Sequence, residues 1–532
     1  MRQDEYEEVP PPGDELAPDG IEPVRRPRVH RSAEGRRGPK RQREVKVSQA
    51  TLLVQLAEAR YRFAQADDGR PFAVPLTGPQ IARPLTSSRT MSLRTELANL
   101  AYRTSGITPG SSALADAMAV LDGRAAEAPR ERLYLRTAQL DDEILVDLGC
   151  TPARVVVIGP AAWRIVDEVE VVFRRTELTE ALPEPLRAGR LDRLRELVNV
   201  ADTAWPLLVG WLLSTLFDIP RPLLFLTGEQ GTGKSTAAKT LAQLVDPTPA
   251  ALRSAPRDLD AWVVAAAGSQ VVALDNLSTV SEWLSDALCR AATGEGLVRR
   301  ALYTDDGLSV LTFRRSVILT SIDAGALRGD LGERLVPVEL ERIPSSRRRT
   351  DAALEAEFSA ARPEVLGALF DLAVEVIRVL PTIDVADLPR MADFGRLLAA
   401  VDQVTGWDSL GQYRAAVDQV AADVVQGDPL AVAIVDLVDR LGGSWSGTAA
   451  ELLRVLHDAR PDSGPWPRNV QALGGQLKRL APALRSQGIE VEARKSNGKR
   501  WVRLIATGTT GTTGTTVSSV EGDEERRERP TT

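Results

Sequence analysis

Three glycines, a lysine and a serine between residues 228 and 235 are the residues whose types and spacing could do chemistry. The segment Gly228–Ser235 reads G-x-x-x-x-G-K-S. Glycine lets a backbone curl so that its N–H groups point at phosphate oxygens. We expect Lys234 to reach the β- and γ-phosphates of ATP and the Ser235 hydroxyl to ligand Mg²⁺. The predicted nucleotide contacts are Gly228, Glu229, Gln230, Gly231, Thr232, Gly233, Lys234, Ser235 and Thr236.

The elements on either side of this loop support the interpretation. Leu223–Thr227 is a short apolar run typical of a buried strand, and residues 236–242 have the composition of a helix. A helix that begins at the loop directs its positive end at a bound anion. The alternative is a glycine-rich turn that matches the motif by chance, and such a turn would have no reason to lie between a strand and a helix. The sequence therefore predicts a phosphate-binding loop.

Hydrolysis requires more than the loop, and three further segments offer candidates. Residues 269–276 form an apolar strand that ends at Asp275, which we expect to order Mg²⁺ and water together with Ser235. A third apolar strand ends at Thr320. Farther along, Arg334 precedes an apolar run, and its guanidinium could stabilise charge on a phosphoryl group held by a neighbouring subunit. The predicted catalytic residues are Lys234, Asp275 and Arg334. Arg328 is the second choice for the arginine, and a surface salt bridge is the alternative for either arginine.

Two basic regions are candidates for contact with DNA. Between the second and third strands, Arg299, Arg300 and Tyr303 belong to a predicted hairpin that could hold a single strand by its phosphates and by base stacking. A solvated hairpin is the alternative. Near the C-terminus, three helices precede two strands joined by an Asn-Gly turn. This order predicts a winged helix, which could bind duplex DNA or another protein. Its candidate contacts are Lys478, Arg479, Lys499 and Arg500.

Composition excludes several other classes of protein. The chain has 532 residues, a net charge of -7 and a sequence pI near 5.4, which argues against a wholly basic nucleic-acid coat. Two cysteines and two histidines disfavour a disulfide framework and a zinc site. The acidic cluster of Asp141, Asp142 and Glu143 reads as a solvated turn rather than a metal site. The polar N-terminus lacks a signal sequence, and the apolar run 205–217 is too short for a membrane span, so we expect a cytoplasmic protein.

The predicted fold class is α/β, with a P-loop core, a small β-rich module before it and a winged helix after it. Polar, charged or low-complexity composition predicts disorder at both ends. The predicted divisions are 1–46, disordered and charged; 47–130, helical; 131–192, a β-rich module; 193–345, the ATPase core; 346–427, a helical subdomain; 428–506, the winged helix; and 507–532, a disordered tail.

The order of these motifs resembles the helicase superfamily 3 type of AAA+ ATPase found in phages, plasmids and integrated elements. The run Leu274–Ser278 followed by residues 283–290 is similar to phage DNA primase/helicase-like proteins. The resemblance implies a homo-oligomeric ring that uses ATP to move on DNA. Two positions depart from the family pattern. Asn276 stands where many AAA+ proteins have a water-polarising glutamate, and Thr320 stands where a γ-phosphate sensor is usually asparagine.

Three functions remain open at this point. The sequence favours an ATP-dependent DNA motor, most simply a replicative helicase. A nucleotide-gated DNA-binding regulator with slow hydrolysis is the first alternative, and Asn276 favours it. A small-molecule kinase is the second, although the chain length and Arg334 count against it.

Overall fold

The computed structural model describes residues 47–85, 91–300, 308–311, 313–321, 329–460, 466–496 and 499–507. This part of the chain is a mixed α/β protein that contains a parallel sheet, which agrees with the predicted α/β fold class. The segments predicted to be disordered lie outside the described residues, except Thr507.

The segment 47–130, predicted as helical, contains three helices and also a three-stranded antiparallel sheet that the prediction missed. Gly69, with φ of 79°, lies in the turn between the first two strands, and Pro71 and Pro75 bound the second strand. Proline at these positions favours an extended chain and opposes a helix. The elements are α1 (Gln49–Glu58), β1 (Tyr61–Gln65), β2 (Pro71–Pro75), β3 (Arg83–Pro84), α2 (Leu93–Ser105) and α3 (Ser111–Glu127).

The next segment is rich in strands. A four-stranded antiparallel sheet has the order β5-β6-β7-β8, and β4 pairs with β9. Nearly all residues of β6 and β7 are buried, because both faces of this sheet are covered. Side chains on one face join the apolar core that includes β10, and side chains on the other face join a smaller apolar cluster that includes Phe173. The strands are β4 (Leu133–Tyr134), β5 (Thr137–Leu140), β6 (Glu143–Asp147), β7 (Val155–Ile158), β8 (Trp163–Val166) and β9 (Val172–Phe173).

The central sheet has five parallel strands in the order β11-β12-β15-β10-β16. The strand β10, predicted from its apolar run, lies between β15 and β16 and is buried at its first four residues. The elements are α4 (Asp192–Arg195), α5 (Trp205–Ser214), β10 (Leu223–Thr227), α6 (Lys234–Val245), β11 (Leu252–Arg253), α7 (Leu259–Ala267), β12 (Val271–Leu274), α8 (Glu282–Thr293), β13 (Leu297–Arg300), β14 (Leu308–Leu311), β15 (Ser316–Thr320), α9 (Gly329–Gly332) and β16 (Leu335–Glu339).

Helices and a further antiparallel sheet complete the described chain. Thr448 caps α14 through a capping box with Glu451, and Asn469 caps α15, so both helices begin where polar capping residues occur. The sheet order is β17-β19-β18. The elements are α10 (Asp351–Val379), α11 (Ala392–Thr405), α12 (Ser409–Gly427), α13 (Pro429–Arg440), β17 (Ser444–Thr448), α14 (Ala449–Val455), α15 (Val470–Ser486), β18 (Ile489–Ser496) and β19 (Lys499–Ala506).

Two large apolar cores include opposite faces of the parallel sheet. Leu224 and Leu226 belong to the first core, which also includes α5, α10, α11 and parts of β6 and β7. Leu223 and Phe225 belong to the second, which includes α7, α8 and the region from α13 to β19. None of the helices in the described part of the chain has a stretch apolar and long enough for a bilayer span.

Candidate functional site

The glycine-rich loop follows the carboxyl end of β10 and leads into α6, as predicted from the sequence. Gly228, Gly231 and Gly233 have φ values of 134°, 85° and 82°, in the region that side chains disfavour. A Cβ on Gly228 would also lie 2.6 Å from the carbonyl oxygen of Leu340. The loop therefore requires glycine at residue 228 for both its backbone angle and its close contact with the chain after β16.

Lys234, the first residue of α6, extends back over this loop. Its Nζ donates to the carbonyl oxygens of Gly228 and Glu229 at 2.7 and 2.8 Å. Burial lowers the pKa of Lys234 from its ordinary value, and the negative charge of Asp275 opposes that shift. Thr232 is buried and its hydroxyl donates to the carbonyl oxygen of Glu229, so two side chains from the second half of the loop bond back to its first residues.

Three polar side chains from different elements meet at the carboxyl ends of neighbouring strands. The Ser235 hydroxyl donates to Oδ1 of Asp275 at 2.9 Å, and the Thr320 hydroxyl donates to the same oxygen at 2.6 Å. Because β10, β12 and β15 are parallel and adjacent, their carboxyl ends lie at one edge of the sheet. Thus the structure brings together Ser235 and Asp275, the two residues predicted to hold Mg²⁺, and adds Thr320.

Asn276 adopts a left-handed backbone conformation, with φ of 57°. Asparagine tolerates this region better than most residues. Its backbone N–H donates to the hydroxyl oxygen of Thr320 at 2.8 Å. The position after Asp275 is therefore shaped by a backbone constraint, which a glutamate would meet less readily than asparagine.

The residues at this edge fit Mg²⁺ as part of a nucleotide complex. The described residues contain no group of three or more His, Cys, Asp or Glu side chains placed to hold a metal. One carboxylate and one hydroxyl side by side suit Mg²⁺, which usually takes one or two carboxylates together with water and phosphate oxygens. Asp141 and Asp142 lie in a turn, and Glu143, the first residue of β6, is paired with Arg164.

Arg334 lies at the other end of the same strands. It directly precedes β16, and its carbonyl oxygen accepts from the N–H of Leu223, the first residue of β10. Five strand residues at about 3.3 Å each separate this end from the loop. Arg334 is thus distant from the phosphate loop of its own chain, and its predicted action on a neighbouring subunit stays a prediction. Arg328 lies outside the described residues.

The hairpin predicted to contact DNA is present as β13 paired with β14. Arg299 and Arg300 belong to β13, and Tyr303 lies outside the described residues. In the C-terminal region, Lys478 and Arg479 are exposed on α15, and Lys499 pairs with Ser496 at the end of the β18–β19 hairpin.

Arg500 joins that hairpin to α15. Its Nη1 lies 2.7 Å from the position that a Cβ would take on Gly474, so the strand and helix are in contact there. Beside it, Trp501 is 45% exposed and faces Arg494 across the two strands, and Arg503 is also exposed. Our sequence reasoning did not select Arg494, Trp501 or Arg503, although alternation along β19 could have identified the exposed positions.

A second group that sequence reasoning missed is the arginine run after β16. The exposed Arg348 follows a short 3₁₀ turn, Ser345–Arg347, and its Nη2 lies 3.7 Å from the position that a Cβ would take on Gly231. Ile343 lies similarly close to Gly233, so this segment passes along the loop. Three consecutive arginines were the available signal, but only the fold places one of them at the phosphate loop.

The fold and the site define a mixed α/β protein whose parallel sheet carries a glycine-rich loop and a Ser-Asp-Thr cluster at one edge. Residues 191–423 match the family described as "Actinomycete integrative conjugative element replication protein". Residues 430–519 match "AICE RepA C-terminal domain". The two matches follow one another along the chain and support a replication protein of a mobile element. The mobile-element part of the resemblance seen in the sequence is thereby confirmed.

Comparison with solved structures gives weaker likenesses. The apo structure of the NrS-1 C terminal region (305-718) is 12% identical, with a TM-score of 0.37, over 87% of this chain and 100% of that chain. The structure described as "SCCmec type IV Cch - active helicase" is 14% identical, with a TM-score of 0.40, over 84% of this chain and 93% of that chain. No curated protein matches the chain. Because both TM-scores are below 0.5, the assignment depends on the family matches.

Proposed function

We propose that this chain is an ATP-dependent motor that acts on DNA, most simply the replicative helicase of a mobile element. The observation that carries the proposal is the contact between Ser235 and Asp275 beside a loop with three glycines in left-handed conformations. In this proposal the parallel sheet is a P-loop core of the AAA+ type, and the region from α13 to β19 is a winged helix.

The residues of the loop edge have separate roles in this proposal. The N–H groups of the loop and Lys234 would hold the phosphates of ATP, and Ser235 and Asp275 would hold Mg²⁺, which supplies charge neutralisation on the phosphoryl group when bound. Thr320 donates to Asp275, so it fixes the orientation of the carboxylate. The match of residues 191–423 to a family of replication proteins supports DNA as the partner. A homo-oligomeric ring would let Arg334 act on the adjacent subunit.

The test of this function measures ATP hydrolysis with and without single-stranded DNA, and strand displacement on a forked duplex. We expect DNA to stimulate hydrolysis and ATP to drive displacement. If DNA does not change the rate of hydrolysis and no strand is displaced from the duplex, the chain is not a DNA motor. A small-molecule kinase, the other alternative, would instead transfer the γ-phosphate of ATP to an added small molecule.

The conformation of Asn276 favours a second candidate function. Asp275 has no adjacent glutamate to polarise water, and the left-handed backbone at Asn276 disfavours one. A chain that binds ATP tightly, binds DNA and turns over slowly would be a nucleotide-gated regulator. This candidate is favoured if the protein binds ATP tightly and binds DNA but displaces no strand from the forked duplex.

Replacement of Arg348 by alanine should raise the KM for ATP about fivefold, with kcat little changed. Arg348 reaches the phosphate loop but has no described bond to Asp275 or Ser235. We therefore expect it to strengthen the binding of ATP without affecting the hydrolysis step. A factor of five is about 1 kcal/mol, typical of an exposed charge-assisted contact. Steady-state kinetics measure this change. Arg347→Ala is the matched control, and an equal effect of both substitutions would mean that the contact to Gly231 is irrelevant.

A further inference from the structure

We propose that a second, arginine-lined cavity at the amino ends of β10 and β15 binds a phosphate group of single-stranded DNA. This inference rests on the proposed function, since it adds a DNA contact to the same motor. The cavity is separate from the glycine-rich loop, which lies at the carboxyl ends of the strands.

The cavity lies between the strand-rich segment and the parallel sheet. Its volume is about 340 Å³, and Arg132, Arg221, Arg314 and Arg315 line it together with Asp218. A smaller cavity of about 80 Å³ continues from it and adds Arg70 and Arg174. Both cavities share Leu133, Leu135, Phe313 and Arg315, which makes them one cleft.

Buried arginine is the strongest sign of an anion site here. Arg221 is 5% exposed, and its Nε is without a hydrogen-bond partner among the described residues. Its other nitrogens donate to neutral oxygens of Ser316, Thr137 and Phe217 at 3.3 to 3.4 Å, and to the amide oxygen of Gln270 when that amide takes the orientation that satisfies its neighbours. Arg315 donates only to the backbone carbonyls of Ala266 and Arg314 in the described contacts. A buried guanidinium without a carboxylate is costly, so an anion in the cleft would offset that cost.

Mutual repulsion adds to this cost. Burial lowers the pKa of Arg221 to about 10, and burial together with the charges of Arg221 and Arg174 lowers the pKa of Arg315 to about 9. Burial also lowers the pKa of Arg174 to about 10. All three groups remain cations at neutral pH, and a bound phosphate would favour their charged forms.

The acidic groups in the cleft do not balance the cations. Six arginines line the two cavities against three aspartates. Asp218 is paired with Arg132 and Arg314, and Asp68 is paired with Arg70. Asp67 is the third aspartate. Asp246, which lies behind the cleft and attracts Arg221 and Arg315, is paired with Arg136. The excess of positive charge is therefore concentrated on Arg174, Arg221 and Arg315.

The position of the cleft favours DNA over a free phosphate compound. Gly294 lies just before β13, and Phe313 to Arg315 lie just after β14, so the cleft is at the base of the hairpin predicted to contact DNA. Tyr134 lines the same cavity, with Arg132 stacked 4.9 Å from its ring centre. A phosphate beside an aromatic ring is the arrangement that single-stranded DNA uses for backbone and base contacts.

The experiment measures binding of fluorescent oligothymidylate to the full chain by anisotropy over a range of salt concentrations. Arg315→Gln should weaken binding about tenfold and reduce the slope of log K against log salt by about 1, because one phosphate contact is lost. Arg315→Lys should keep the slope. Arg221→Gln should behave as Arg315→Gln does, and thermal unfolding checks that each variant is folded. Arg154→Gln, a surface arginine paired with Glu184, is the matched control and should bind as wild type does.

Each outcome decides one point. If the folded Arg315→Gln protein binds with unchanged affinity and salt slope, the cleft is not a DNA site, while the motor proposal stands on wild-type DNA-stimulated hydrolysis. If wild type neither binds the oligonucleotide nor responds to DNA, the proposed function itself is wrong. Inorganic phosphate distinguishes the sources of the ligand. Suppose that phosphate raises the unfolding temperature of wild type but not of Arg315→Gln, and that wild type does not bind the oligonucleotide. The ligand of the cleft would then be a small phosphate compound rather than DNA.

Discussion

Replacement of Lys234 by alanine should reduce ATP turnover at least about 100-fold, which corresponds to about 2.7 kcal/mol of transition-state stabilisation. The ammonium of Lys234 is the only lysine cation that the described contacts place on the carbonyls of the glycine-rich loop. Without it, negative charge on the β- and γ-phosphates has no ammonium to oppose it. Phosphate release in the presence of Mg²⁺ and DNA measures the effect.

Lys239→Ala is the matched control for this experiment. Lys239 lies on the same helix, α6, but is half exposed and paired with Glu355. Its loss should change turnover less than about twofold, because its described bond is to Glu355 at the surface rather than to the carbonyls of the loop. Equal residual turnover in the Lys234→Ala and wild-type proteins would show that the glycine-rich loop is not the site of hydrolysis.

Replacement of Arg136 by methionine should lower the free energy of unfolding by about 3 kcal/mol. The Arg136 side chain is 1% exposed and bonds to Asp246 at 2.9 Å, and it also donates to the carbonyls of Asp147 and Glu180. The substitution leaves the buried carboxylate of Asp246 without its cation. The N–H groups of Gln270 and Val271 still donate to Asp246. We therefore expect a loss of stability near the lower end of the range for buried ion pairs that lose one partner. Urea denaturation measures it.

Arg154→Met serves as the comparison, because Arg154 forms a partly exposed pair with Glu184. Its loss should cost between zero and about 1 kcal/mol. A cost of the same size for Arg136 and Arg154 would mean that Asp246 finds water or another donor when Arg136 is absent.

The phosphate-loop edge could be predicted from the sequence because each of its residues ends a recognisable apolar strand or occupies a fixed motif position. The parallel sheet brings Asp275 to Ser235 from a distance of 40 residues, as that reasoning required. Thr320 was selected as a sensor of the γ-phosphate. The structure adds its bond to Asp275, which depends on adjacency of β12 and β15.

Other features depend on contacts that no local pattern encodes. The position of Arg348 beside Gly231 depends on the path of the chain after β16. The strands β1 to β3 were missed because their flanking prolines and Gly69 act over only a few residues, within a segment whose remaining residues favour helices. The arginine cleft joins residues from 67 to 315 in sequence, so only the folded chain reveals it.

The shared cores also decide how the chain loses its structure. The segment predicted as a separate module, 131–192, contributes Ile144, Val146 and Trp163 to the same core as β10 and α10. The C-terminal region packs on the opposite face through the other core. Removal of either flank would expose part of the apolar core on one face of the parallel five-stranded sheet. Calorimetric heating should therefore give a single cooperative endotherm for residues 131–506, rather than one for each predicted division.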